Sequence, residues 1–276
     1  AYRQELARHS RKDSEAYERY SADLRRQCRF IKPLLMRMAP DPTSFKPRDL
    51  GELMYLGERF LEFSEAQMAE TIRFWTMSVA EFLDEYFESD VIKAYFAGSG
   101  IIGTALGPCS PGTAYVLLHH YMGEVDGNIG AWGFARGGMG AITKSMAACF
   151  VDHGGTIARG SGVDQVLVRN GRATGVALKN GDEYFADTVI SNADVKHTFL
   201  DIVERQELPG DFVKQVEKFK IRGSSGKLNI ALDGMPDFPA VPKDAPILNG
   251  DMHFTDSVER MERAYDDWKA GTWSKD

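Results

Sequence analysis

Two Asn-Gly pairs, Asn170–Gly171 and Asn180–Gly181, constrain this chain more than any other feature. Asn-Gly is the favoured centre of a two-residue hairpin loop, because both central residues of a type I′ turn need positive φ. The flanking residues alternate, Val166 and Val168 against Leu167, then Val176 and Leu178 against Ala177. Two hairpins in series predict a three-stranded antiparallel meander. Ahead of it, GNIGAWGFARGGMG leads into a helix predicted over Ala141–His153, closed by Gly154–Gly155 in the left-handed conformation that glycine tolerates. TIAR then begins a short strand of parallel type. Behind the meander a strand ends in Ser191-Asn192-Ala193-Asp194, and a helix begins near Asp194–Glu204 with Asp194 as its N-cap. A further helix is predicted near Asp211–Lys220. SSGKLNIALDG reads as a strand with Leu228, Ile230 and Leu232 on one face, and residues 255–270 read as an amphipathic helix.

The first 125 residues are patterned as helices throughout. One runs from about Asp13 to Met38 and stops before Pro40 and Pro42, since proline lacks the amide a helix needs. A second spans Leu50–Leu61. Ser64 with Gln67, and Ser78 with Glu81, have the spacing of capping boxes. Val79, Phe82, Leu83, Tyr86 and Phe87 fall on one buried stripe. Helices follow through Val91–Ala97 and Thr113–Val125. GSGIIGTALGPCSPG between them matches no phosphate-loop pattern and reads as a helix end and connection.

Charge narrows the function classes. With 33 Lys and Arg against 40 Asp and Glu, the net charge of −7 speaks against a nucleic-acid partner, which selects a basic surface. No apolar run reaches the roughly 20 residues of a membrane span, and peripheral contact with a membrane stays open. Cys28, Cys109 and Cys149 are isolated, without zinc or redox spacing, and read as free thiols, two of them core fillers. The polar N-terminal segment has no apolar signal-peptide region, which implies a cytoplasmic, or cytoplasmic and membrane-peripheral, address. His119 and His120 are adjacent, so on a helix they point about 100° apart and do not chelate one metal by themselves. Arg136 could face an anion, but reads more simply as a structural salt bridge. No metal site and no Ser/His/Asp or Cys/His order is readable.

The segments ARGGMGAITKSMA, GGTIARGSGVDQVLV, NGRATGVAL and DTVISNADVKHTFLDIV resemble the middle of phytoene-desaturase-type (phytoene dehydrogenase-like) FAD-dependent oxidoreductases. SPGTAYVLLHHYMGEVDGNIGAWGFARGGMG resembles a branch of that family not tied to carotenoids. The likeness runs from about Phe74 to Asp233. It implies an α/β (α+β mixed) fold: part of a GR2-type FAD-binding domain with its β-meander, plus a largely helical substrate domain. Residues 1–135 would be the first part of the substrate domain, 136–204 the partial FAD-binding domain, and 205–276 the second part of the substrate domain, a strand plus helices.

By the same resemblance, Val163 would contact adenine through its backbone. Ser191, Asn192 and Ala193 would line the crevice at the ribose–pyrophosphate side, and Gly137, Gly138 and Met139 would approach a flavin-proximal cavity. The implied substrate is an apolar small molecule, isoprenoids among the options, and self-association through exposed apolar surface is open. Family members open on a GxGxxG segment and close on a second glycine-rich segment near the flavin. Neither occurs here, so the chain reads as an internal piece with little flavin affinity or activity of its own, the FAD belonging to the full-length protein. The rival reading is a non-catalytic helical module that binds an apolar ligand or a partner.

Overall fold

The computed structural model describes residues 2–221, 225–234, 236–239 and 252–275. They fall into two compact units, Ala1–Gly133 with Gly223–Asp276, and Phe134–Arg222.

The first unit is built from helices α1 (Tyr2–His9), α2 (Arg11–Ile31), α3 (Pro47–Leu61), α4 (Glu65–Thr76), α5 (Val79–Asp84), α6 (Asp90–Ile101), α7 (Thr113–His120) and, after residue 223, α10 (Val258–Lys269). Local chemistry sets their ends. Ser10 caps α2, its hydroxyl accepting from the Asp13 amide at 3.1 Å. Ser64 and Ser78 form reciprocal capping boxes with Gln67 and Glu81 at the starts of α4 and α5. Asp13, fully buried, sends its carboxylate from α2 to the amides of Glu88 (2.8 Å) and Ser89 (2.9 Å), where α6 begins.

The apolar faces converge on one aromatic-rich core. Tyr20 of α2 touches the rings of Phe82, Tyr86, Phe87 and Phe96 at centroid distances of 5.0 to 5.8 Å. Leu83, Leu117 and Leu118 are fully buried beside it. Each such side chain contributes about 1.5–3 kcal/mol through area removed from water. Gly100 lets α6 approach α5 closely, since a Cβ there would stand 2.8 Å from Val79.

Two helices are shorter than their patterns suggest. The helix expected to Met38 ends at Ile31 and gives way to a tight 3₁₀ turn over Lys32–Met36, where Pro33 removes a backbone donor. The helix expected to Val125 ends at His120, and Glu124–Val125 (β1) pairs with Asn128–Ile129 (β2) around Asp126 and Gly127, both at positive φ. In the stretch expected as a strand over 224–234, residues 225–232 form none, and Leu228, Ile230 and Leu232 are exposed. Among the described residues no strand runs alongside, and a lone strand leaves its hydrogen bonds unmade. Ser224 of that stretch lies outside the described residues.

The second unit holds α8 (Met139–Asp152), the meander β3 (Val163–Arg169), β4 (Arg172–Leu178) and β5 (Glu183–Phe185), and α9 (Gly210–Lys218). The strands pair in the order β3–β4–β5, all antiparallel. Asn170 and Gly171 both have positive φ, as the type I′ turn requires. The second turn differs: only Gly181 has positive φ, and the Asn180 side chain bonds the Asp182 amide at 3.1 Å. With four residues between β4 and β5, one left-handed glycine suffices. Gly175 lies under β5, where a Cβ would come within 2.2 Å of the Tyr184 carbonyl oxygen.

TIAR and the residues leading to Ser191 form no strands, and Ile157 and Ile190 are exposed. A parallel-type strand takes its hydrogen bonds from distant segments, and among the described residues none is there to pair. The helix expected near Asp194–Glu204 is a π-helical turn over His197–Ile202, followed by a 3₁₀ turn over Arg205–Glu207. Residues 205–221 are part of this compact unit: Phe212 of α9 packs edge-on against Phe199 at 5.0 Å, and Arg205 pairs with Glu217. All three cysteines are free, but only Cys28 is buried, so Cys109 and Cys149 are not core fillers.

Candidate functional site

The GGMG segment is a helix start. Gly137 and Gly138 take positive φ, 85° and 76°, a conformation that a side chain would strain. The Gly138 amide donates to the Ala135 carbonyl at 2.9 Å, and the helix opens at Met139, two residues before the expected Ala141. No side chain caps this end and its first turn holds no acid, so the partial positive charge of the helix dipole is not neutralised there. Met139 is 75% exposed, and α8 buries none of its side chains. Arg136 is exposed and makes no ion pair among the described residues, so the expected salt bridge is not formed.

Val163 is half-buried as the first residue of β3, opposite Leu178, with a register shift just after it. Ser191, Asn192 and Ala193 are exposed, and the polar groups of Ser191 and Ala193 turn back on the local chain. The Ser191 hydroxyl bonds that of Thr198 at 2.7 Å and accepts from the Ala193 amide at 3.3 Å. Asp194 accepts from the amides of Lys196 (2.9 Å) and His197 (3.0 Å), which is the capping role expected of it. Those bonds, with His197 first, hold its carboxyl below the usual range. The meander and the 191–204 segment come together, β3 lying against the π-helical turn while Gln165 reaches Glu204 at 3.0 Å. The Gly137–Met139 turn stands at the start of a helix with no buried contacts.

These features fit part of a flavin site. A backbone edge at Val163 suits a planar heterocycle, and the uncapped start of α8 suits an anion or an electron-rich ring edge. The strands that would flank them are not formed, so the described residues do not complete a cradle for the cofactor. Among the described residues there is also no group of three metal-ligating side chains, and His119 and His120 lie side by side on α7 with ring centroids 6.0 Å apart.

One cavity escaped the sequence reading. In the helical unit, the end of α6, the loop after it and α10 border a half-open cavity of about 390 Å³, walled by Ile101, Ile102, Leu106, Met261, Tyr265 and Trp268. Its size and apolar lining suit a small apolar ligand. Gly107 allows the loop onto α10, since a Cβ would meet the Tyr265 ring at 2.4 Å. The Cys109 amide donates to Glu262 at 2.8 Å, fastening the loop to the helix. Burial, then the Glu262 carboxylate, pushes the Cys109 thiol up to about 11. Met261, Tyr265 and Trp268 lie at helical spacing and were readable as a stripe; its partner loop, whose Cys109 lies 153 residues before Glu262, was not.

Comparison with known proteins adds a family. The sequence profile of the flavin containing amine oxidoreductase family matches residues 11–248. The chain is 33% identical over 285 residues to the pyridine nucleotide-disulfide oxidoreductase domain-containing protein 2 of Mus musculus, covering 98% of this chain and 49% of that protein. It is 40% identical over 180 residues to the chloroplastic prolycopene isomerase of Daucus carota, covering 64% of this chain and 28% of that protein. With the lycopene-forming phytoene desaturase of Pantoea ananas the identity is 26% over 186 residues, covering 67% and 36%. The chain thus spans about half the length of the mouse protein.

Proposed function

Because this chain belongs to the flavin containing amine oxidoreductases, in their phytoene-desaturase-like group, we propose that the whole protein is an FAD-dependent desaturase or dehydrogenase of an apolar, isoprenoid-type substrate. The observation that carries the reading is the order of elements in the second unit. A glycine-opened, uncapped helix is followed by an antiparallel meander and then by the SNAD turn. The relatives whose names state a substrate, a phytoene desaturase and the prolycopene isomerases, support the substrate class.

In this proposal Val163 offers backbone atoms to adenine. Ser191, Asn192 and Ala193 lie on the ribose–pyrophosphate side, and Gly137, Gly138 and Met139 face the flavin-proximal cavity. When bound, FAD supplies the two-electron acceptor, and the protein binds, orients and dries the substrate. That division of labour asks for no acid–base dyad. The apolar cavity of the helical unit is the natural holding site for a hydrocarbon, with Trp268 and Ile102 as its walls. A substrate of this kind partitions into lipid. Among the described residues no helix is long and apolar enough to cross a membrane, and peripheral contact with one is part of the proposal.

The test is an anaerobic substrate screen on the FAD-reconstituted full-length protein. Polyene and isoprenoid hydrocarbons are expected to bleach the flavin within turnovers, and polar amines are not. Bleaching by amines alone would overturn the substrate class.

A further inference from the structure

Helix α2 carries Arg25, Arg26 and Arg29 within five residues, and Arg59 of α3 faces them across an open cleft of about 540 Å³. The cleft sets these four guanidiniums against one carboxylate, Glu62, in a chain whose net charge is −7. Two are committed. Arg26 pairs with Asp23 (2.8 Å) and Glu70 (3.2 Å), and Arg59 holds both oxygens of Glu62 at 2.9 and 3.1 Å. Arg25 and Arg29 are exposed and make no ion pair among the described residues. They stand four residues apart on one helical face, where like charges repel. The Nε of Arg59 is shut off from solvent and finds no acceptor among the described residues. Its guanidinium lies over the Phe30 ring at 5.7 Å and also donates to the Arg29 carbonyl at 3.2 Å, which fixes it at the cleft wall.

We propose that this arginine cleft binds a phosphate group, as a monoester or diphosphate carried on an organic body. Guanidinium forks match phosphate oxygens two at a time, and a charge of about −1.5 to −2 balances the two unpaired cations. The cleft is larger than phosphate alone, and Phe63 and Ala22 give the remaining space an apolar wall. The site lies within the helical unit and does not depend on the flavin reading. A soluble small phosphate and a lipid head group share this chemistry.

The experiment uses full-length protein saturated with FAD, so that a flavin site does not compete. It is titrated with inorganic pyrophosphate by calorimetry, and separately co-floated with vesicles of phosphatidylcholine with or without phosphatidic acid. Saturable binding is expected in at least one arm, and the arm that binds identifies the source. The double variant Arg25→Ala/Arg29→Ala, altered only at exposed positions, should lose at least tenfold in affinity while keeping its melting temperature. Arg8→Ala, an exposed arginine on α1, should bind as the parent does. No binding in either arm, or undiminished binding by the double variant, overturns the proposal.

Discussion

Cys109 and Asp194 show what single residues contribute here, and how differently the two could be foreseen. Cys109 is exposed, yet its thiol is pushed up to about 11, first by desolvation and then by Glu262 on α10. A raised pKa keeps the neutral thiol in place until pH rises through that value. Alkylation by iodoacetamide should therefore still be accelerating above pH 9. Glu262→Gln, which keeps an acceptor for the Cys109 amide, should shift the alkylation profile to lower pH; an unshifted profile would remove Glu262 as a cause. From sequence this cysteine read only as a free thiol, because nothing local says that a loop at residue 109 meets a helix at residue 262. Asp194 was legible for the opposite reason. A cap bonds its own next turn, so residue type and position suffice.

Helices and strands repeat that distinction on a larger scale. The capping boxes at Ser64 and Ser78 and the turn at Asn170–Gly171 were readable because each is closed by residues within three positions. The strands expected at TIAR and before Ser191 were not, because strand existence depends on a neighbour elsewhere in the chain. The β1–β2 hairpin at Asp126–Gly127 carried an Asp-Gly signal as strong as Asn-Gly, and the helical pattern before it obscured it. Element junctions are where stability concentrates. Asp13 ties α2 to the start of α6, and Asp13→Ala leaves the amides of Glu88 and Ser89 without their acceptor. Urea denaturation of this variant should show a loss of about 1–3 kcal/mol. A loss below the error of the measurement would mean that water or another side chain replaces the carboxylate.

At the scale of the molecule, the second unit has an antiparallel meander, and among its described residues the parallel strands expected with it do not form. Helix α8 reflects this directly. Ile142, Met146 and Phe150 recur along one face and are 45%, 67% and 53% exposed, an apolar stripe that in an α/β fold lies on a sheet. The candidate site residues were legible as positions on elements through their resemblance, whereas their surroundings belong to contacts that no local pattern records. Family membership rests on the match over residues 11–248, and the catalytic reading rests on the flavin. The most direct test is the flavin content of the full-length protein after FAD reconstitution and extensive dialysis, read by visible absorbance. The expected result is about one FAD per chain, with at least tenfold weaker retention in Gly175→Ala, whose new Cβ pushes β5 away from β4. A colourless protein would contradict it.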